Sequence, residues 1–328
     1  MSTHPLRIRV PETASPGWQA FFESMPDPTQ IPKRPGPDDL EAWAIIHQEY
    51  EQQRLENSAK LANSLGVRVL ERTLGGVPTL EITPSGWSDN GKCLVYAHGG
   101  AYTLFTARST LTSSAVAAAY TGYRVISIDY TNPPKARWQV VTDEVVSVLD
   151  AVKAEVGSFG NTAIFGDSAG AALAAGAVLK MRDQGQSMPA AVVLWSPWSD
   201  ITETGDTYLT LKEAEPSYLY ETLLGPSALA YASPEDQKHP YVSPLYGDYS
   251  KGFPPTLIQG GTRELFLSNF VRHYQALDQA GIEVKLDLYE AMPHVFQNKR
   301  PDSSEAQTAL RKMKMFLDQY LQTGQKPL

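Results

Sequence analysis

The sequence predicts an α/β protein with a mostly parallel sheet, helices on both faces of that sheet and a short antiparallel hairpin at its N-terminal end. Two observations carry this prediction. From residue 93 onward, short apolar runs typical of buried strands alternate with longer segments of helical periodicity. Before them, the alternating segments 67–73 and 77–82 are joined through Gly75-Gly76, as expected of a hairpin.

The individual elements follow from the same patterns. A first helix is predicted from about residue 38 to 60, because Asp38 and Asp39 would give its first turn acidic residues. After the hairpin, apolar runs predict strands at 93–97, 124–128, 162–165, 191–195, 256–259 and 283–289. Helical periodicity predicts helices at 109–120, 138–156, 171–180, 267–280 and 304–321. Residues that directly follow parallel strands are expected to meet at one edge of the sheet.

Two segments interrupt this alternation. Residues 1–37 are rich in proline and contain an apolar group, Trp18, Phe21 and Phe22, which fits either a short helix packed on the body or a flap over a pocket. Between 200 and 246 the periodicity is lost, which predicts short helices. We therefore expect a cap segment at 1–62, a main domain at 63–199 and 247–328, and a cap insertion at 200–246.

Composition narrows the classes of function. The chain has 328 residues, 42% of them hydrophobic, and a net charge of −8 without any run of more than two Lys or Arg. Nucleic acids and anionic membranes are therefore poor partners, and no stable membrane association is expected. Its single cysteine, Cys93, lies in an apolar run and can form neither an internal disulfide nor a cysteine-based metal site. With no long apolar stretch, we expect a cytoplasmic protein.

A Gly-x-Ser-x-Gly motif, Gly166-Asp167-Ser168-Ala169-Gly170, lies between a predicted strand and a predicted helix. In that context the two glycines allow a sharp turn that exposes Ser168 as a nucleophile. The N–H of Ala169, at the start of the helix, can then face developing negative charge. The alternative is a tight strand-to-helix connection that merely contains a serine.

The partners of such a nucleophile follow it in the order acid, then base. His294 lies in a turn after the last predicted strand, and Glu264 follows the strand before it. A serine hydroxyl needs a histidine to accept its proton, and that histidine needs a carboxylate to orient it. Asp287 and Asp278 compete with Glu264, but one lies within a predicted strand and the other within a helix. Packing of His294 and a helix N-terminal role for Glu264 are the structural alternatives.

A second glycine motif, His98-Gly99-Gly100-Ala101, follows an earlier predicted strand. The N–H groups of Gly99 and Gly100 are expected to join that of Ala169 in an oxyanion hole. We expect His98 to brace this loop through hydrogen bonds, in preference to acting as a base.

Taken together, these segments resemble the hormone-sensitive-lipase family of α/β-hydrolases, whose bacterial members are the family IV carboxylesterases. The matching segments, in the family's order, are 98–101, 166–170, 196–200 (Ser-Pro-Trp-Ser-Asp), the segment around Glu264 and 293–296. The resemblance implies an α/β-hydrolase fold with a helical cap, and hydrolysis of carboxylic esters through an acyl-enzyme. It implies no cofactor and no metal.

The chain departs from the family pattern at three places. Ala101 replaces the third glycine of the usual His-Gly-Gly-Gly, and residues 130–135 replace the usual Tyr-Arg-Leu-Ala-Pro-Glu. The acid is Glu264, where the family commonly has Asp. Asp167 matches the family's Gly-Asp-Ser-Ala-Gly form, and we expect it to bond the surrounding backbone without joining the chemistry.

The resulting prediction is a serine carboxylesterase for a small-molecule ester, of short to medium chain length or compact and cyclic. The N-terminal aromatic group is expected to line the pocket together with Tyr102, Phe105, Tyr208 and Trp198. A lactone hydrolase or amidase with the same triad is the alternative, followed by a non-catalytic ligand receptor on the same fold. The family often forms homodimers, although no residue pattern in this chain requires one.

Overall fold

The computed structural model describes residues 11–321, so the first ten residues of the predicted cap segment and the last seven of the chain lie outside the described residues. In chain order the strands are β1 (Arg68–Leu74), β2 (Val77–Thr83), β3 (Cys93–Ala97), β4 (Arg124–Ile128), β5 (Thr162–Asp167), β6 (Ala191–Trp195), β7 (Thr256–Gly261) and β8 (Val284–Tyr289). They form one eight-stranded sheet in the order β1-β2-β4-β3-β5-β6-β7-β8. Strand β2 is antiparallel to both of its neighbours, and all other pairs are parallel. The predicted fold class is confirmed.

Ten helices surround this sheet within the described part of the chain. They are α1 (Pro16–Ser24), α2 (Leu40–Ser64), α3 (Leu111–Thr121), α4 (Trp138–Val156), α5 (Ala169–Asp183), α6 (Thr207–Thr210), α7 (Gly225–Tyr231), α8 (Leu267–Gln279), α9 (Phe296–Lys299) and α10 (Ser304–Tyr320). Shorter 3-10 turns and one π-helical segment, Tyr220–Leu224, complete the connections. The predicted ends differ most at α2, which continues to Ser64.

The central strands β3, β5 and β6 are buried along their whole length. Alternate side chains enter two apolar layers, one on each face of the sheet. Val95 and Ile164 belong to one layer, whereas Tyr96 and Phe165 stack in the other with their ring centroids 4.6 Å apart. Burial on both faces explains why these strands have continuous apolar sequences.

Helix α1 packs on the body of the protein. Trp18 is fully buried and meets Phe296 with ring centroids 6.5 Å apart, and Phe22 is buried in the same cluster, beside the start of α10. The aromatic group was predicted to be either a packed helix or a flap over a pocket, and the structure shows the packed helix. The group does not line the cavity described below.

The predicted cap segment and the predicted cap insertion, which are distant in sequence, contact each other. The N–H of Arg34 donates to the carbonyl of Thr222 at 2.8 Å, which joins the N-terminal segment to the insertion. Helix α2 is tied to the main domain where the Ser58 hydroxyl donates to the carbonyl of Ser109 at 2.6 Å. Among residues 11–321, no helix combines the length and apolar character needed to cross a membrane.

Candidate active site

The turn between β5 and α5 holds Ser168 in a strained conformation, with φ 58° and ψ −125°. Both flanking glycines are sterically required. A Cβ atom on Gly166 would lie 2.4 Å from the carbonyl oxygen of Gly170, and one on Gly170 would lie 2.1 Å from that of Ala97. A strained serine between two obligatory glycines is the geometry of a nucleophile elbow.

His294 and Glu264 form a buried pair. The distance from His294 Nδ1 to Glu264 Oε2 is 2.7 Å. The other carboxylate oxygen accepts the Ser196 hydroxyl at 2.8 Å and the Gly261 N–H at 2.6 Å. Ser196 Oγ in turn accepts the N–H of Val295 at 3.0 Å. An ionised Glu264 held in this way keeps the proton on Nδ1, so the other ring nitrogen can accept a proton.

Burial dominates the ionisation of this pair. It lowers the pKa of His294 to about 3, so the imidazole carries no charge at neutral pH. It raises the pKa of Glu264 to about 8, against the opposing effect of the donors from Gly261 and Ser196. Perturbed pKa values of this kind are typical of functional sites.

Ser168 and His294 both line one cavity of about 210 Å³. Glu264 is fully buried and contacts His294 without lining the cavity itself. The structure therefore brings the three predicted triad residues to one place. The competitor Asp287 instead accepts hydrogen bonds from Gln259 and from a nearby tyrosine.

The oxyanion loop differs from the prediction in one donor. The N–H of Gly99 donates to Asp167 Oδ1 at 2.8 Å, so it is not free to bind an oxyanion. Among residues 11–321, the N–H groups of Gly100, Ala101 and Ala169 have no hydrogen-bond partner. Since Gly100 and Ala101 line the cavity, Ala101 takes the place predicted for Gly99.

Backbone strain shapes this loop. Gly100 has φ +115°, and a Cβ there would lie 2.4 Å from the carbonyl oxygen of Leu104. Ala101, Tyr102 and Phe105 also have positive φ values, of 51°, 65° and 74°. Non-glycine residues adopt such angles only where the surroundings hold them there, which is common at functional sites.

The loop is held from behind by His98 and by the unusual segment 130–135. Nδ1 of His98 lies 2.7 Å from the carbonyl oxygen of Gly99, and its ring stacks on Tyr130 at 4.1 Å. The Tyr130 hydroxyl donates to the carbonyl of His98 at 2.8 Å, and the Asn132 amide donates to that of Tyr102 at 3.0 Å. His98 is fully buried and does not line the cavity. These contacts are those of a bracing residue.

Of the four predicted pocket residues, only Phe105 lines the cavity. Tyr102 instead stacks on Tyr231 at 3.7 Å, and the Trp198 indole donates to the Tyr208 hydroxyl at 3.0 Å. Although these three residues were predicted to line the cavity, they do not, because they pack in the apolar core. Tyr218, one of the aromatic residues of the segment 200–246, lines the cavity, as is expected of that segment. Further wall residues are Ile31, Tyr50, Arg54, Leu223 and Leu224.

Glu215 is a further residue that sequence reasoning missed. It is fully buried in the cap insertion, accepts the N–H of Ser217 at 2.8 Å and accepts that of Leu265 at 3.4 Å. Burial raises its pKa, and its charge acts on His294. No local motif marks this position. Within the described residues, no group of three or more His, Cys, Asp or Glu side chains could hold a metal ion.

Comparisons with known proteins agree with this geometry. The family model described as alpha/beta hydrolase fold matches residues 94–298. An acetyl-hydrolase from Streptomyces hygroscopicus is 32% identical over 229 residues, which cover 70% of this chain and 76% of that protein. The crystal structure of esterase E25 matches with a TM-score of 0.89 and 29% identity, covering 98% of this chain and 99% of that one. A crystal structure of an esterase from the bacterial hormone-sensitive lipase family matches with a TM-score of 0.79 and 26% identity, covering 94% and 99%. The chain therefore belongs to the α/β-hydrolase family and, within it, to the hormone-sensitive-lipase group.

Proposed function

We propose that this protein is a serine carboxylesterase that hydrolyses short- to medium-chain or compact cyclic esters through an acyl-enzyme on Ser168. The observation that carries the proposal is the 2.7 Å contact between His294 and Glu264, with His294 and Ser168 on the wall of one cavity. A nucleophile, a neutral base and an orienting carboxylate are the parts that acyl transfer requires.

Acylation uses each of these parts. Ser168 Oγ attacks the ester carbonyl carbon while His294 Nε2 takes the hydroxyl proton. Glu264 accepts the Nδ1–H and stabilises the imidazolium that forms. The N–H groups of Gly100, Ala101 and Ala169 bind the oxyanion of the tetrahedral intermediate. As the carbon–oxygen bond to the leaving group breaks, His294 returns the proton and the alcohol departs.

Deacylation repeats the sequence with water. His294 takes a proton from the water as its oxygen attacks the acyl carbon, and the same donors bind the second oxyanion. The bond to Ser168 Oγ then breaks, and His294 returns the proton to that oxygen. The net reaction adds one water to the ester and yields an acid and an alcohol.

The cavity supports a small substrate. Its volume of about 210 Å³ is modest, and its wall includes the apolar side chains Ile31, Leu104, Phe105, Leu223 and Leu224. Such a wall suits a short acyl chain or a compact ring. The names of the two relatives, an acetyl-hydrolase and an esterase, agree with this substrate size.

A hydrolysis panel of p-nitrophenyl esters from acetate to palmitate, with simple lactones, tests the proposal. We expect a maximum at the short esters and a loss of roughly 10³-fold or more in kcat for Ser168→Ala. Ser85→Ala, at an exposed loop serine, is the matched control and should retain wild-type rates. Equal turnover by wild type and Ser168→Ala across the panel would contradict the proposal.

A further inference from the structure

The cavity beside Ser168 is lined by two cationic side chains, Arg54 and Lys299, although the whole chain has a net charge of −8. Arg54 belongs to α2 and is exposed to solvent, and its guanidinium carbon lies 4.1 Å from the centroid of the Phe105 ring. Among residues 11–321, it makes no hydrogen bond and no ion pair. Its N–H donors are therefore available to a ligand in the cavity.

Lys299 lies at the end of α9, five residues after His294. Its Nζ donates to the Ser217 hydroxyl at 3.3 Å, and burial lowers its pKa to about 8. The charge of Arg54 acts in the same direction on this pKa, so the two cations are near enough to repel each other. At neutral pH both are charged, and an anion in the cavity would relieve the repulsion.

A third cation lies behind the same wall. Arg34 is 6% exposed, and its Nε and Nη2 atoms are buried without a hydrogen-bond partner. Its guanidinium carbon lies 4.4 Å from the Tyr50 ring, and that ring packs 6.2 Å from Phe105. Arg34, Tyr50, Phe105 and Arg54 thus form a continuous row of contacts between cations and aromatic rings. A cation held in this way adds positive potential to the cavity.

Nearby carboxylates act on both cations, because the charge of Asp167 acts to raise the pKa of Arg54 and that of Glu215 acts to raise the pKa of Lys299. In the described part of the chain, they leave the donors of Arg54 unoccupied. Asp167 lines the cavity, but it already accepts three hydrogen bonds from the protein. Glu215 and Glu264 are fully buried and do not line the cavity. Within residues 11–321, Arg54 donates no hydrogen bond, and Lys299 donates one, to the Ser217 hydroxyl.

We propose that the esters hydrolysed here carry a carboxylate group, which Arg54 and Lys299 bind while Ser168 attacks the ester carbonyl. This inference rests on the proposed esterase function and names its substrate class. Suitable molecules are monoesters of dicarboxylic acids and acyl esters of hydroxy acids. Arg54 belongs to α2, and Lys299 belongs to α9, which follows His294. Because the two cations come from different elements, the substrate carboxylate can lie on either the acyl group or the alcohol group of the ester.

The test compares charged and neutral substrates of matched shape. One pair is para-acetoxybenzoate and its methyl ester, and the other is monomethyl glutarate and dimethyl glutarate. We measure kcat/KM for each in wild type, Arg54→Gln and Lys299→Met. The control is Arg108→Gln, which removes an equal charge from an exposed arginine outside the cavity. The ratio of charged to neutral kcat/KM should fall about tenfold in both cavity variants for at least one pair. It should stay at the wild-type value in the control.

Ratios that are the same in all four proteins, for both pairs, overturn the proposal. Ser168-dependent hydrolysis of p-nitrophenyl acetate in the same assay tests the esterase function separately, so the two failures are distinguishable. Calorimetric titration with benzoate and with benzyl alcohol tests anion binding without any turnover. We expect benzoate to bind wild type and Arg108→Gln, and to bind Arg54→Gln about tenfold more weakly. Equal affinity for benzoate and benzyl alcohol in every protein would also overturn the proposal.

Discussion

Asp167 Oδ1 accepts the N–H of Gly99 at 2.8 Å, which ties the residue before the nucleophile to the loop that presents the free amides. The same oxygen accepts the Tyr96 hydroxyl at 2.7 Å, and Oδ2 accepts the Ser113 hydroxyl at 3.3 Å. Through this one carboxylate, the nucleophile and the oxyanion donors are held at a fixed separation. Asp167 thus supports the chemistry through position and takes no proton.

The Asp167→Ala variant should lower kcat by roughly 10- to 100-fold with a smaller change in KM, because the donors would no longer be aligned with the oxyanion. Asp167→Asn keeps an oxygen that can accept from Gly99, so it should recover most of the loss. Steady-state rates with p-nitrophenyl butyrate measure both. Asp143→Ala, at an exposed aspartate on α4, is the control. Full activity in a folded Asp167→Ala protein would contradict this role.

The pH dependence should follow Glu264. Its pKa is raised to about 8, so the carboxylate ionises and becomes an acceptor for the His294 Nδ1–H as the pH rises toward that value. Since the pKa of His294 is lowered to about 3, the base stays neutral across this range. We expect kcat/KM for a neutral ester to rise with pH, with its midpoint at about pH 8.

The Ser196→Ala variant should move this rise to higher pH, because the Ser196 hydroxyl stabilises the ionised form of Glu264. A second effect is a lower maximum, since Val295 N–H loses its acceptor. Rate profiles from pH 5 to 9 on both proteins measure the midpoint. Ser114→Ala, a buried serine of α3 outside the site, should retain the wild-type profile. If the midpoint of Ser196→Ala equals that of wild type, the Ser196 hydroxyl does not affect the ionisation of Glu264.

The Gly170→Ala variant should be strongly destabilised. Its added Cβ would lie 2.1 Å from the carbonyl oxygen of Ala97 and 2.3 Å from that of His98, and both are backbone atoms of the sheet edge. We expect the free energy of unfolding to fall by about 3 kcal/mol in urea denaturation. Gly36→Ala, where no atom lies within 4 Å of the added carbon, should change it little. Wild-type stability of Gly170→Ala would show that the elbow tolerates a Cβ there.

The Glu215→Ala variant should weaken the contact between the segment 200–246 and the residue that follows Glu264. It leaves the half-buried Ser217 N–H and the buried Leu265 N–H without their acceptor, which costs about 2 kcal/mol in unfolding free energy. Because Leu265 follows Glu264 directly, kcat should fall as well. The exposed neighbour Glu213 supplies the control, Glu213→Ala. If Glu215→Ala and Glu213→Ala have the same unfolding free energy and the same kcat, Glu215 does not stabilise this contact.

Local sequence was sufficient to predict the order of strands and helices and the turn that carries Ser168. Glycine spacing and apolar runs are patterns that span only a few neighbouring residues. It was also sufficient to choose Glu264 over Asp287, since only Glu264 follows the end of a strand. Which amide is free in the oxyanion loop was not predictable. That depends on Asp167 and Gly99, 68 positions apart, meeting in space.

The aromatic residues show the same limit. Tyr102, Trp198 and Tyr208 have the composition of a pocket wall, but the same composition fills a core. Only the three-dimensional packing decides between the two. Conversely, nothing in the local sequence of α2 marks Arg54, which lines the cavity because of how the chain folds.

The contact between Arg34 and Thr222, which joins the predicted cap segment to the predicted cap insertion, has a consequence for substrate selectivity. The reacting groups all follow sheet strands, whereas much of the wall comes from two separate stretches of chain that add no strand to the sheet. Mutations in either stretch can therefore alter which substrates enter the cavity, provided that they keep the contacts of Glu215 with Ser217 and Leu265. Substrate selectivity can therefore change in this protein without a change in the reaction that it catalyses.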